Sequence, residues 1–407
     1  MVIFVILGFS LLGLLIDRYI YVNDIRDSRV PRWLKITFNA VSIAINVGTF
    51  VAMLLFNTIL NEFRSEGSIV LLWVVYIFLL NLEPRIVFVL FSLIRRLAAR
   101  LAGRKVMIIE YIGWVVSIVV FISMLWGMAV SRHHLRVENV TIESENLPEQ
   151  FDGYRIVMFS DTHLGNLGHN NSLIERMVTR VNSFDPDMII NGGDFVHIRH
   201  EEFGEKYMSQ MAPLHARDGI FTVLGNHDLG YYITDSISES PYENTKILID
   251  KERAMGWDML LNENRWIHRG GDSIAVAGVK YPIQSKKSQM QTPFHGSDVV
   301  AAFEGIPDSA FSILITHTPE VFDSIPQAGV NPDLTVAGHI HAMQVKVNIG
   351  KWHWSPARFI YPKWSGLYKT GDNYLYINDG IGYVAFPMRI GCAPEITVFE
   401  LKRPSKN

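Results

Sequence analysis

Four long apolar stretches crowd the first 130 residues, and no other feature limits the possible folds as severely. Met1–Ile16 carries no charge and resumes as Tyr19–Val22 after the Asp17-Arg18 pair. Ile36–Leu60 is 25 residues without a charge, and Tyr111–Val130 is 20. Ser68–Leu82 is uncharged, breaks at Glu83-Pro84-Arg85, and resumes as Ile86–Ile94. A helix rising ~1.5 Å per residue needs roughly 20 residues to cross the hydrocarbon of a bilayer. The second and fourth stretches suffice outright. The first suffices if Asp17 and Arg18 lie at the interface, and the third only as one helix kinked at Pro84. A soluble domain would have to bury all of these within 130 residues, so about four transmembrane helices are expected. No Lys or Arg precedes the first stretch and no small-x-small site follows it closely, which reads as an uncleaved helix.

Composition sharpens the picture once the chain is divided. Hydrophobic residues make up 49%, charged residues 19%, and mean hydropathy is +0.17, which excludes a disordered chain. A net charge of −3 gives no support for nucleic acid as a partner. One cysteine, Cys392, excludes an intrachain disulfide framework. Residues 1–130 hold 12 Lys/Arg and 7 Asp/Glu, whereas the rest holds 25 and 33. A +5 apolar unit is therefore joined to a −8 unit of ordinary composition. The expected layout is a membrane domain over 1–130, a linker over 131–150 and a second domain over 151–407.

Arg18, Arg26, Arg29, Arg32 and Lys35 fall between the first two stretches, and Arg95, Arg96, Arg100, Arg104 and Lys105 between the last two. The loop between the second and third has only Arg64, set against Glu62 and Glu66. The positive-inside rule puts the two basic loops in the cytoplasm and everything after Val130 outside. Glu83 and Arg85 would lie within the third span, where ionisable groups are costly. They are two apart and do not face each other on a helix. Arg85 is expected either to satisfy the carbonyl freed by Pro84 or to pair with a neighbouring helix.

Beyond residue 150 short apolar runs alternate with helical spacing. Strands are expected at 154–159, 188–190, 220–224, 273–279, 311–315, 334–337, 374–378 and 396–401, and helices at 173–184 and 202–215. This is the pattern of an α/β domain. Five of those strands end in residue types that bind metals: Asp161-Thr162-His163, Gly193-Asp194, Gly225-Asn226-His227-Asp228, Thr316-His317 and Gly338-His339-Ile340-His341. Ligands of layered α/β folds gather beyond the carboxyl ends of strands. Imidazole with carboxylate and one amide oxygen suits Mn, Fe, Zn or Co better than Ca or Mg. Seven candidate ligands exceed what one open catalytic ion takes, but they suffice for two ions sharing a carboxylate. Two such ions can activate water and clamp phosphate oxygens.

This order of blocks resembles the calcineurin-like metallophosphoesterases, over Tyr154 to Leu401, and most of all their bacterial membrane-associated branch. That branch shares segments like Ser365-Gly366-Leu367-Tyr368 and Arg389–Ile396. The resemblance implies a two-sheet β-sandwich flanked by helices. It also implies one ion held by Asp161, His163 and His341, a second held by Asn226, His317 and His339, and Asp194 bridging them. His227 would be the acid that protonates the leaving oxygen or stabilises the transition state, with Asp228 orienting it by a hydrogen bond. Relatives often have glycines after the last His, where this chain has Ala342 and Met343, so a narrower rim is expected.

The other nine histidines (His133, His134, His169, His197, His200, His215, His268, His295, His353) read as structural, although His197 and His200, just after Asp194, are placed to reach substrate. Trp352, Trp354, Tyr361, Trp364 and Tyr368 suit either a membrane interface or lipid groove, or the core of the second sheet. Leu229–Pro241 reads as a loop that caps the site. Arg389 is expected to reach a phosphate or to sit in an ion pair.

The function expected is a membrane-anchored phosphoesterase acting on a phosphomonoester or phosphodiester of a lipid or cell-envelope substrate. Similarity to UDP-diacylglucosamine hydrolases leaves open a pyrophosphate link in a lipid-linked nucleotide sugar. The expected topology argues against it, because that nucleotide is cytoplasmic. A non-enzymatic membrane sensor retaining the fold is the other alternative.

Overall fold

The computed structural model describes residues 2–59, 66–168, 172–233, 240–282, 294, 296–350 and 352–404. Arg64 and Glu62, His169 and His295, and the middle of the 229–241 loop lie outside the described residues. The chain divides into two compact units, with the break at Ala129/Val130 and residues 385–388 grouped with the first.

Among the described residues the N-terminal unit has four α-helices: α1 (Val2–Ile20), α2 (Arg32–Ile59), α3 (Glu66–Ala102) and α4 (Ile108–Ala129). Among the described residues three helical segments are long and apolar enough to cross a membrane, Arg32–Ala52, Leu72–Ala102 and Ile108–His133. The third apolar stretch is one continuous helix that runs through Pro84. Its charged interruption is absorbed by a polar clamp between helices. Arg85 on α3 pairs with Asp17 on α1, and Asp17 also accepts hydrogen bonds from Ser42 and, at 2.8 Å, from Asn46 Nδ2, both on α2. Asp17, Ser42 and Asn46 are all buried. Arg85 therefore takes the second of its two expected roles, because the carboxylate of a neighbouring helix outcompetes a local carbonyl for a guanidinium. Gly13 makes the clamp possible, since a Cβ there would lie 1.9 Å from Asn46 Oδ1. A second set ties the basic ends together: Arg95 lies 3.1 Å from Asp24 and 3.4 Å from Glu110.

The second unit is built on two six-stranded sheets. Sheet one contains β1 (Arg136–Glu143), β14 (Glu395–Lys402), β2 (Arg155–Phe159), β3 (Met188–Asn191), β4 (Ile220–Thr222) and β5 (Asp258–Met259), in that spatial order. Sheet two contains β12 (Gly366–Thr370), β13 (Asn373–Ile377), β9 (Leu334–Ala337), β8 (Ser312–Ile315), β7 (Asp272–Gly278) and β6 (Glu263–Arg269). A separate hairpin pairs β10 (Val347–Ile349) with β11 (Trp352–Trp354).

Alternation along the strands explains the layering. Ile156 and Met158 of β2, Ile313 and Ile315 of β8, Leu334 and Val336 of β9, and Tyr376 of β13 share one buried core between the sheets. The intervening Leu314, Ala337, Leu375 and Ile377 face the other way, against Val299 and Ala302 of α9 (Val299–Ala302) and Val321, Phe322 and Ile325 of α10 (Val321–Ala328). Strands covered on both faces read as continuous apolar runs, which is why they stand out in the sequence. The short α5 (Leu164–Leu167) follows His163, and α6 (Leu173–Asn182) buries Leu173, Ile174, Met177, Val178 and Val181 on one face.

The expected linker is a partial misreading. Residues 136–143 form β1, which pairs in parallel with β14 along its whole length. Its sequence, Arg-Val-Glu-Asn-Val-Thr-Ile-Glu, is that of an edge strand, polar on its open side, and so resembles a loop. The helix expected over 202–215 is shorter, α7 (Glu205–Met211), and α8 (Pro241–Ala254) was not anticipated.

The clamp generates a stability test. Asp17→Leu leaves the Arg85 charge without its partner and should cost about 2–5 kcal/mol. Asp17→Leu combined with Arg85→Leu should recover most of that. Thermal melts of the purified chain in detergent would show a double variant closer to the parent than either single one.

Candidate metal centre

Strands β2, β3 and β4 run parallel in sheet one, as do β8 and β9 in sheet two. Their carboxyl ends release the five blocks into one buried cluster. His341 Nε2 lies 3.2 Å from Asp161 Oδ1 and 3.1 Å from His163 Nε2. His317 Nε2 lies 3.1 Å from Asp194 Oδ2 and 3.3 Å from His339 Nδ1. Asp194 Oδ2 is also 3.8 Å from His163 Nε2, so it stands between the two groups. Asp161, His163 and His341 form one triad with metal-binding geometry, and Asp194, His317 and His339 another. Asn226 is the seventh candidate. It donates its amide to the Tyr232 hydroxyl at 2.9 Å, while its buried Oδ1 has no partner.

Donor atoms 3–4 Å apart are the spacing expected around an ion bound at about 2.0–2.2 Å. The orphaned Asn226 oxygen is likewise an acceptor without a donor. The residues present therefore fit two divalent ions.

Backbone conformation delivers the ligands. Asp161, His163, Asp194, His339 and His341 all have φ between 44° and 75°. For residues with a Cβ this left-handed region costs roughly 1 kcal/mol or more each, and it turns successive side chains back over the strand ends. Gly225 allows the close approach, since a Cβ there would be 2.1 Å from Asp194 Oδ1. The left-handed run continues through Ala342, Met343 and Gln344. Ala342 is fully buried and Met343 is exposed, so of the two expected to narrow the rim, only Met343 is at the surface.

Hydrogen bonds behind the cluster set which nitrogen faces inward. His317 Nδ1 donates to the Gly192 carbonyl at 2.8 Å, and Arg389 donates to His341 Nδ1 at 3.0 Å. In both rings Nε2 is thereby left for the centre. Arg389 fills neither of its expected roles. It is fully buried and donates to the carbonyls of Gly382, Asp379 and Cys392 as well as to His341. Asp228 also differs from expectation. It accepts from the backbone N–H groups of Phe195, Val196 and Gly225 at 2.8–3.0 Å and so braces the Asp194 loop. His227 is oriented instead by His197, whose carbonyl accepts from Nδ1 at 2.5 Å, and by a backbone N–H bond to Asp194 Oδ1 at 2.8 Å.

The sequence undervalued two residues here. His197 stacks on His227 at 4.7 Å, and its Nδ1 lies 3.4 Å from His163 Nδ1. Tyr232 stacks on the His227 ring at 4.3 Å. The spacing of His197 three residues after Asp194 was a signal; nothing local marked Tyr232. His200 is turned toward Lys251 instead, with its Nδ1 3.1 Å from Lys251 Nζ.

Charges are strongly coupled. Burial alone would raise both carboxyls, but His341 and His317 hold Asp161 below its ordinary value, and His317 and His227 hold Asp194 well below. Burial lowers His163, His227 and His339, the last to about 4. Burial also opposes the charge on His317, but Asp194 and Asp161 overcome it and raise His317 to about 10.

A pH dependence follows. Because the folded value of His317 lies above its ordinary 6.5, its pairing with Asp194 stabilises the metal-free protein fully below about 6.5 and is lost as pH rises through about 10. An ion must displace that proton. Loading Mn²⁺ at about pH 8 should release about one proton from His317, and affinity should climb with pH across this window. Titration calorimetry in buffers of different ionisation enthalpy would count the proton, and a buffer-independent heat would contradict the assignment.

Comparison with known proteins agrees with this geometry. Residues 154–343 match the calcineurin-like phosphoesterase family. A transmembrane protein with metallophosphoesterase domain from Danio rerio is 30% identical over 294 residues, covering 70% of this chain and 62% of that protein. A protein of the same description from Bos taurus is 27% identical over 274 residues, covering 64% and 56%. The metallophosphoesterase YkuE of Bacillus subtilis (strain 168) is 29% identical over 273 residues, covering 66% and 86%. The chain spans about three-fifths of the length of the two vertebrate relatives. With metal-ligand types gathered at five strand ends and the family match running across those same blocks, residues 154–343 form a calcineurin-like phosphoesterase domain.

Proposed function

We propose that the chain is a membrane-anchored, metal-dependent phosphoric ester hydrolase, acting on a phosphomonoester or phosphodiester of a lipid or cell-envelope substrate. Residues 1–130 anchor it and residues after 150 catalyse. The observation that carries this reading is the approach of six ligand-type side chains, Asp161, His163 and His341 beside Asp194, His317 and His339, next to an oriented histidine, His227.

Asp161, His163 and His341 would hold one divalent ion, Asn226, His317 and His339 a second, and Asp194 both. The ions, of Mn, Fe, Zn or Co type, supply Lewis acidity toward water and phosphate oxygens when bound. The protein's own groups do the rest. His227 donates Nδ1–H to the His197 carbonyl, which fixes the neutral tautomer with its lone pair on Nε2. That atom accepts a proton and, once protonated, returns it to the leaving oxygen or bonds a phosphate oxygen. The rings of His197 and Tyr232 on its two faces keep the imidazole from rotating. Asp228, through its three backbone bonds, keeps Asp194 and His227 in register.

A membrane anchor favours a substrate in or near the bilayer over a soluble one. The basic ends of the helices favour an extracytoplasmic catalytic domain. Asp24, Arg95 and Glu110 link the ends where both basic loops begin, which supports both loops lying on one side. That orientation weighs against a pyrophosphate hydrolase of cytoplasmic nucleotide sugars, and the complete ligand set weighs against a non-enzymatic sensor.

The purified full chain with added Mn²⁺ should hydrolyse bis-p-nitrophenyl phosphate or the monoester. His227→Ala should lower kcat by roughly 10²–10⁴, and Asp194→Asn should lower bound metal as well as turnover. No turnover on any ester, with metal still bound, would favour the sensor reading. A reporter active only in the cytoplasm, fused after Asn407, should be silent; activity would invert the topology.

A further inference from the structure

We propose that the excursion from Met343 to Leu367, which ends on the first residues of β12, is a bilayer-contacting platform that presents the phosphate of a membrane lipid to the candidate metal-ligating histidines. From β1 onward, nine large apolar side chains are exposed among the described residues. Six of them, Met343, Ile349, Trp352, Phe359, Ile360 and Leu367, fall within this one excursion. Clustering of this kind marks an interaction surface, whereas scattered exposed apolar residues do not.

The local structure shows why these side chains cannot fold away. The hairpin of β10 and β11 pairs Ile349 with Trp352 and Val347 with Trp354, so these four share one face, while Asn348 and His353 share the other. The polar face is closed by a 3.0 Å contact between His353 Nδ1 and Asn348 Oδ1. A two-stranded hairpin has no interior of its own, and its apolar tip stays open, with Ile349 67% and Trp352 52% exposed. The next turn, Pro356–Phe359, extends this surface. Trp354 meets Phe359 edge-on at 6.4 Å, and Phe359 and Ile360 are 79% and 64% exposed. That turn is firmly held, because the buried Ser355 hydroxyl donates to the Ala342 carbonyl at 2.7 Å and accepts from the Ala357 N–H at 3.0 Å. Phe359 and Ile360 therefore project from a fixed base.

The same base belongs to the metal centre. Ala342 follows His341 directly, and the ring of Tyr361 lies 6.4 Å from that of His339. What covers the patch follows from the chain itself. Only residues 130–135 separate the last membrane-type helix from β1, a stretch that spans about 20 Å at most. The domain is therefore tethered within reach of the lipid surface. Trp and Tyr are the side chains that favour the bilayer interface, and the exposed Arg358 beside Phe359 suits phospholipid phosphates. Contact with the bilayer stands on these observations alone; the substrate half of the proposal rests on the phosphoesterase reading.

The test uses the full chain in phosphatidylethanolamine–phosphatidylglycerol nanodiscs. Its lone cysteine, Cys392, is buried, so cysteines introduced as Trp352→Cys, His353→Cys, Phe359→Cys or Glu205→Cys accept an environment-sensitive fluorophore selectively. Doxyl-labelled lipid should quench the label at 352 and 359 and spare it at 353 and 205. Quenching of the 359 label by aqueous iodide but not by doxyl lipid would overturn the platform. So would shielding from both quenchers that disappears on dilution, since that marks a second copy as the occupant. The substrate half is read with Phe359→Ser plus Ile360→Ser. Turnover of bis-p-nitrophenyl phosphate should be unchanged, while hydrolysis of phosphatidic acid or phosphatidylglycerol in the nanodiscs falls roughly tenfold. Soluble turnover without lipid turnover in the parent, or lipid turnover indifferent to the double substitution, would overturn that half. Absence of soluble turnover in the parent would instead sink the phosphoesterase reading, and the quenching result would still decide the platform.

Discussion

The position of the Asp194 carboxylate organises the second unit. One oxygen accepts the His227 N–H at 2.8 Å, while the other lies 3.1 Å from His317 and 3.8 Å from His163. A buried carboxylate is tolerable only where opposite charge or donors surround it. Much of the neighbouring structure supplies that surrounding. Gly225 leaves room for it, Asp228 fixes the backbone on either side, and the left-handed turns aim histidines from both sheets toward it. Sheet one contributes Asp161, His163, Asp194 and Asn226, and sheet two contributes His317, His339 and His341. The sandwich thus holds the two halves of the candidate ligand set against each other.

A second carboxylate, half-buried, shows how far this bracing extends. Glu202 accepts the N–H groups of Gly165, His197 and Ile198, and burial raises it to about 7. It links the loop after His163 to the loop after Asp194, and a Cβ at Gly165 would lie 2.3 Å from its carboxyl carbon. The membrane unit solves the same physical problem with other residues. Asp17, Ser42, Asn46 and Arg85 satisfy one another between three helices, because lipid offers them nothing else to bond.

Much of this was legible in the sequence because its signals are local. Apolar run length marked the helices, short continuous apolar runs marked the core strands, and five blocks at strand ends marked the candidate ligands. What escaped notice depended on distant partners. β1 looked like a linker because an edge strand is half polar. The resemblance implies that Asp228 orients His227, whereas its oxygens accept from backbone groups of two loops. Arg389 was read as a phosphate or ion-pair residue because nothing in the chain shows that three carbonyls and His341 converge on it. His197 and Tyr232 flank His227 only once the loops after β3 and β4 are folded together.

The chain's local patterns alone separated an apolar unit from an α/β unit, carried the family resemblance and singled out the seven candidate ligands. These rest on length, period and residue chemistry within short segments, which the chain carries without reference to its fold. The packed fold settles which side chains orient the candidate ligands, which helix neutralises Arg85, and which aromatic residues stay exposed at 343–367. Each of those outcomes depends on the close approach of groups far apart in the chain, and hydrogen bonding and burial act at such approaches however distant the residues are in sequence.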